Sequence, residues 1–238
     1  GFVRVGPGVP ELQWKTIQEI EPTVLIAVPS FLLKLTEYAI RKGIDYKNTH
    51  ISKAICIGEP VRNPDFSLNA IGRRINELWD IELYSTYAST EMAAAFTECN
   101  QFQGGHHHPE LLVIEVLDGD NQPVAELEAG EVTITTLGNE AFPLLRFKTG
   151  DIARLHSGKC GCGRTTKRLG PIVGRKQQMI KFKGTTIFPP ALFDIIDNSQ
   201  GIRSYVVEVN SDAFDNDEVV VKLAADERFQ EHDLIDSF

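Results

Sequence analysis

Apolar residues follow three textures along this chain. In the first hundred residues, short unbroken apolar runs alternate with longer stretches of helical spacing. "TVLIAVP" (23–29) is an apolar run closed by Pro, the pattern of a buried strand. "SFLLKLTEYAIRKG" (30–43) then places apolar residues three and four apart, with Ser30 as the expected N-cap and Gly43 as the C-cap. "ISKAICIG" (51–58) predicts a second buried strand, "NPDFSLNAIGRRINELW" (63–79) a helix with Pro near its start, and "DIELYSTY" (80–87) a third strand. Strands alternating with helices predict a parallel sheet.

From about residue 110 the rhythm turns to strict alternation broken by Gly, Asp and Pro, as in "ELLVIEVLDGDNQPV" and "GEVTITTL". Residues 110–174 therefore read as an antiparallel β region. Beyond Gly174, "QMIKFKG", "PPALFDIIDNS", "IRSYVVEVN" and "DEVVVKLAAD" read as strand, helix, strand, strand. The predicted fold class is α/β: a parallel-sheet part (1–109), a β-rich part (110–174) and a small α+β module (175–238). The boundary is expected near Arg175, where the polar "GRKQQ" can act as a hinge.

Composition narrows the function classes. The chain has 238 residues, 42% of them hydrophobic and 24% charged, with a formal charge of −9. That length can bury a sizeable core. An acidic balance argues against a nucleic-acid-binding domain, which carries a basic face. No apolar run reaches membrane-spanning length, and no signal peptide is visible before "GFVRVGPG". The four cysteines, Cys56, Cys99, Cys160 and Cys162, are too few for a disulfide scaffold, which favours a reducing cytoplasm. Oligomeric state is not legible in these patterns.

Four stretches carry candidate chemistry, each with a plainer alternative. "YASTE" (87–91) sets Glu91 where a predicted strand opens into small residues. It is either a solvated turn or a carboxylate at the ligand-binding edge of an α/β sheet. "TGD" (149–151) is either a tight turn between strands or a carboxylate, Asp151, accepting from a vicinal diol. Gly58-Glu59-Pro60 is either a strand-ending turn or a bare ledge for a flat ring. "GRKQQMIKFKG" (174–184), with Arg175, Lys183 and Gly184, is either a solvated basic strand or a hinge with a cationic face. Cys99, the histidines 106–108, Cys160 and Cys162 also place soft ligands on two loops, the donor types zinc prefers. The alternative is ordinary reduced thiols. Three adjacent rings cannot all face one ion, so at most one histidine is a ligand.

"GEP", "YASTE", "LRFKTGD" and "GRKQQMIKFKGTTIFP" occur in a fixed order. In that order they resemble the adenylate-forming superfamily of acyl-CoA synthetases and adenylation domains. "EAFPLLRFKTGDIARL", "CGCGRT" and "IKFKGTTIFPPALFDII" are similar within it to the phenylacetate–coenzyme A ligase family. The resemblance covers about residues 20–225. It implies an AMP-forming acid–thiol ligase that activates a carboxylic acid, an aryl acid such as phenylacetate, with ATP and passes it to coenzyme A. On this resemblance Gly58, Glu59 and Pro60 would line adenine, Tyr87 would stack on it, Ala88 would lie beside the acyl pocket, and Thr90 would bond the α-phosphate. Glu91 would hold Mg²⁺, Asp151 and Arg175 would reach the ribose, and Lys183 and Gly184 would belong to the face used for the thioester step. It also implies that Cys99, His106, Cys160 and Cys162 form a structural zinc site.

The chain departs from the family pattern in two positions. Ala88 stands where the family has Gly, and Gln177 where the superfamily has a hinge Asp. The resemblance further implies that the phosphate loop precedes residue 1 and the adenylation Lys follows residue 238, so this segment alone is expected to be inactive. Two rivals share the motifs: an adenylating enzyme with a carrier-protein or amine acceptor, and a non-catalytic nucleotide-binding relative.

Overall fold

A computed structural model describes residues 1–182, 185–211 and 217–236. Helix α1 (Pro10–Ile20) precedes strand β1 (Val24–Ala27), helix α2 (Pro29–Lys42), strand β2 (Lys53–Cys56), helix α3 (Ala70–Leu78) and strand β3 (Glu82–Ser89). Strand β4 (Ala94–Thr97) then closes a hairpin with β3. The sheet order is β1-β2-β3-β4, with the first three strands parallel and the last antiparallel. The parallel reading therefore holds for the three strands it covered, and the fourth, which the sequence reading did not include, runs antiparallel. A four-residue turn is too short for a crossover, so β4 has to run back along β3.

The core of this part forms where the apolar stripes of the helices meet one face of the sheet. Trp14 and Ile17 of α1, Leu32, Leu35 and Ala39 of α2 and Ile75 of α3 are buried together. The Trp14 indole N–H donates to the Leu35 carbonyl at 2.9 Å, so the largest ring buries its polar atom with a partner. Helix α1 has no counterpart in the sequence reading. The expected helix over 63–79 is confined to Ala70–Leu78, because Pro64 lies in a turn and Asn69 caps the helix by accepting from the Gly72 N–H.

The second sheet collects strand β5 (Gly105–His106), β6 (Leu112–Leu117), β7 (Ala129–Thr136), β8 (Phe147–His156) and β9 (Arg168–Leu169) in the order β5-β9-β8-β7-β6. Strand β10 (Gly174–Arg175) pairs antiparallel with β8. Met92 and Phe96 from the β3–β4 hairpin share a core with Leu112, Ile114, Val132 and Ile134, which fixes the hairpin against this sheet. Arg175, where the hinge was expected to begin, is still paired with β8.

A 3-10 turn over Lys176–Gln178 leads to strands β11 (Ile180–Phe182) and β12 (Thr185–Ile187) and helix α4 (Pro189–Asn198). The antiparallel pair β13 (Ile202–Ser211) and β14 (Asp217–Ala225) and helix α5 (Glu231–Asp236) complete the described chain. Leu192 and Ile196 of α4 pack with Leu234 against this pair as a separate small core. Among the described residues, no helix is long and apolar enough to cross a membrane.

Candidate nucleotide cleft and Cys/His cluster

A cleft of about 480 Å³ opens at the carboxyl ends of β2 and β3. It is lined by Gly58-Glu59-Pro60, Ser85–Ser89, Asp151, Gly170–Ile172 and Arg175. The Glu59 carboxylate does not point freely into this space. It accepts from the Ser30 N–H at 2.9 Å and the Ser30 hydroxyl at 2.8 Å. Glu59 thus caps α2 from outside, while Val28 occupies the N-cap position expected for Ser30. A carboxylate at the positive end of the helix is favourable, and the contact holds the Gly58–Pro60 shelf in place.

Asp151 owes its placement to a break in strand pairing. β8 runs unbroken through "TGD", so the segment is a bulge within a strand and not a turn between two. The register shifts there: two steps on β7, Glu131 to Thr133, face four on β8, Ile152 to Lys148. Gly150 takes φ 77°, a left-handed conformation that glycine adopts without strain. The bulge turns Asp151 toward the cleft. Its carboxylate accepts the Tyr87 hydroxyl at 2.8 Å and the Arg175 Nε–H at 2.9 Å. Arg175 faces Asp151 directly across the β8–β10 pair. Burial is the main cause that raises the Tyr87 hydroxyl well above its usual pKa, so it stays a donor.

Of the residues singled out in the sequence, Gly58, Glu59, Pro60, Tyr87, Ala88, Asp151 and Arg175 all line this one cleft. Thr90 and Glu91 lie just beyond it, exposed in the β3–β4 turn. The Ala93 N–H closes that turn on the Thr90 carbonyl at 3.3 Å, and buried Met92 anchors it. Glu91 is held ionised below the ordinary carboxylate range, chiefly by its own main-chain N–H and then by the Ser89 hydroxyl. Lys183 and Gly184 lie outside the described residues.

Several lining residues escaped the sequence reading: Ser85, Glu98, Gly170–Ile172, Gln178 and Pro190. Glu98 is the most informative. Arg62 Nε donates to both its oxygens, at 2.9 and 2.8 Å, and the Ser85 N–H donates at 2.9 Å. Both side chains of the pair are almost fully buried. A lone Arg after "GEPV" and a lone Glu before Cys99 carry no spacing signal that would have paired them.

A second constellation sits behind the cleft. The ligand atoms of Cys99, His106, Cys160 and Cys162 all lie within 4.8 Å of one another. Cys99 and Cys160 sulfurs are 3.7 Å apart, and Cys162 Sγ is 3.5 Å from His106 Nε2. Zinc–sulfur bonds of about 2.3 Å place two thiolates about 3.8 Å apart in a tetrahedron, so the donor set fits such an ion. His106 Nδ1 contacts the Thr166 hydroxyl at 3.0 Å, which orients Nε2 inward. Three chain segments converge here: the end of β4, the short strand β5 and the β8–β9 loop. Gly105 permits the approach, because a Cβ there would run into the Phe96 carbonyl. His107 instead turns to the Leu112 carbonyl at 2.7 Å, and His108 is exposed beside Glu110. Only one of the three histidines joins the cluster.

No protein-family model matches the chain. Curated relatives do. A phenylacetate–coenzyme A ligase of Thermus thermophilus is 32% identical over 191 residues, 79% of this chain and 42% of that protein. One of Escherichia coli is 29% identical over 213 residues, 85% of this chain and 46% of the relative. The chain thus spans less than half the length of these relatives. Among solved structures, a 2-hydroxyisobutyryl-CoA ligase in its postadenylation state superposes with a TM-score of 0.79 at 22% identity, covering 94% of this chain and 48% of that one. The same ligase in an open form gives 0.71, and in its thioesterification state 0.65. The fold is that of the adenylate-forming enzymes. Over most of its length the chain is similar to part of the phenylacetate–coenzyme A ligases.

Proposed function

We propose that the full-length protein is an AMP-forming ligase. It activates a carboxylic acid, an aryl acid such as phenylacetate, with ATP, and transfers the acyl group to coenzyme A. The observation that carries this reading is the buried Asp151 carboxylate, set on a strand bulge in the cleft that the Gly58–Pro60 shelf also lines. A carboxylate has about four lone-pair sites, so Asp151 can accept from two ribose hydroxyls while keeping Tyr87 and Arg175. Adenine lies on the shelf and stacks on Tyr87, Ala88 borders the acyl group, and the triphosphate runs toward Thr90 and Glu91. Glu91, exposed and held below the ordinary carboxylate range, would hold Mg²⁺, which would supply neutralisation of phosphate charge. An acid oxygen attacks the α-phosphorus and pyrophosphate leaves. The thiol sulfur of coenzyme A then attacks the acyl carbon, AMP leaves, and the thiol proton is released.

Residues 175–238 begin the smaller domain that turns between these steps, with the seam just after Arg175. We assign the arrangement described here to the first step; the better superposition on the postadenylation form of the structural relative supports this. The Cys99–His106–Cys160–Cys162 set holds a structural zinc ion, because four protein ligands leave no position for substrate. Its thiols are unpaired, and a reducing cytoplasm suits both them and coenzyme A.

The test is ATP–pyrophosphate exchange by the full-length protein, followed by product analysis with coenzyme A. Exchange driven by phenylacetate or another aryl acid, with thioester formed only when coenzyme A is present, is the expected result. Exchange with no acid at all would sink the reading; acyl transfer to an amine alone would redirect it.

A further inference from the structure

Helix α4 reaches across to helix α3 at a place the proposed chemistry does not use. Its Leu192 and Ile196 pack on the small C-terminal core. Asp194 and Asn198 are offset from these by two residues, which puts them on the opposite face of the helix. That face meets the start of α3. The Asp194 carboxylate accepts the Ala70 N–H at 2.8 Å, a contact spanning 124 residues of sequence. One turn further, Arg73 Nη2 donates to Asn198 Oδ1 at 2.7 Å. The Asn198 Nδ2–H donates to the Asp194 carbonyl at 2.6 Å, which steadies that amide.

The contact is specific in kind. A first-turn amide has no acceptor within its own helix, so the Ala70 N–H needs one from elsewhere. The Asn69 side chain serves Gly72 and leaves Ala70 to Asp194. A carboxylate there also meets the positive end of α3. Pro190, in the first turn of the same helix, lines the cleft. If the segment beyond Arg175 turns between the two steps, both hydrogen bonds must break.

We propose that Asp194 and Asn198 are positioning residues that latch α4 to the N-terminus of α3 and so favour the adenylation arrangement over the thioester-forming one. The inference rests on the ligase reading above. Two contacts, each with one ionised partner, are enough to move a two-state balance by about tenfold.

The experiment uses the full-length protein as wild type, Asp194→Ala, Asp194→Asn and Asn198→Ala. Amide hydrogen exchange at Ala70 reads the latch without any substrate. Exchange of pyrophosphate into ATP with phenylacetate, and thioester formation from supplied phenylacetyl-adenylate and coenzyme A, read the two steps apart. Ala70 protection should fall about tenfold in Asp194→Ala and partly return in Asp194→Asn, which keeps an acceptor oxygen. Pyrophosphate exchange should fall severalfold while thioester formation is unchanged or faster, and Asn198→Ala should act in the same direction more weakly. An Ala70 amide equally unprotected in wild type overturns the latch, and so does an equal fall in both steps. Should no acid support exchange, the ligase reading fails separately, and the Ala70 amide alone still decides whether Asp194 holds α4.

Discussion

At the scale of single residues, Asp151 shows what spacing can and cannot convey. "TGD" after "LRFK" marked a carboxylate worth naming, yet the same letters read equally well as a turn. The decision lies in the β7–β8 register shift, which comes from pairing and is invisible in one strand's letters. Tyr87, Asp151 and Arg175 come from separate parts of the chain and meet only in the fold. Asp151→Ala in the full-length enzyme should weaken ATP binding by about 1–3 kcal/mol, the worth of hydrogen bonds to a charged acceptor. Titration calorimetry checks this, and unchanged affinity would remove Asp151 from the nucleotide site. Glu91 makes a contrasting case. It is exposed in a turn whose anchor is Met92, so Glu91→Gln should leave the melting temperature near wild type. Pyrophosphate exchange should nonetheless drop and need more Mg²⁺ to saturate. Stability and activity falling together would mark a structural role.

At the scale of elements, periodicity located α2, β1 and β2, because their apolar runs face one core. It overextended α3 back to residue 63 and passed over α1, whose buried contacts rest mainly on Trp14 and Ile17. The short strands β5, β9 and β10 have two residues each and exist only by pairing, so no local pattern could announce them. The β2–α3 loop and the β3–β4 hairpin are joined by a pair that local pattern also misses. Besides binding Glu98, Arg62 donates to the Leu83 carbonyl at 2.8 Å and the Phe66 carbonyl at 3.2 Å, and its guanidinium lies over the Phe102 ring. Removing one member leaves a buried charge without its counterion. Glu98→Gln should therefore cost about 3–5 kcal/mol of stability. Urea denaturation of the full-length protein measures it. A loss below about 1 kcal/mol would place the pair among weak surface bridges.

At the scale of the whole molecule, the four-ligand cluster is where distant segments are tied. Cysteine spacing alone made it one option among several, since "CGC" and "ECNQFQGGHHH" give no hint that β5 pairs with β9. That pairing carries His106 to the β8–β9 loop, and Cys99 arrives from the end of β4. An ion there would join the first sheet's hairpin to the second sheet at a point adjoining Glu98 and the cleft wall. Metal binding would then contribute to folding directly, because the unfolded chain has no preformed site. Protein purified without a metal-affinity tag should contain about one zinc per chain by elemental analysis. A strong chelator should lower the melting temperature before any loss of pyrophosphate exchange at low temperature, since the ligands leave no open position for chemistry. The Cys160→Ser/Cys162→Ser double variant should lose both the metal and the chelator sensitivity. A metal-free protein of unchanged stability would make the four residues ordinary reduced thiols beside a satisfied histidine.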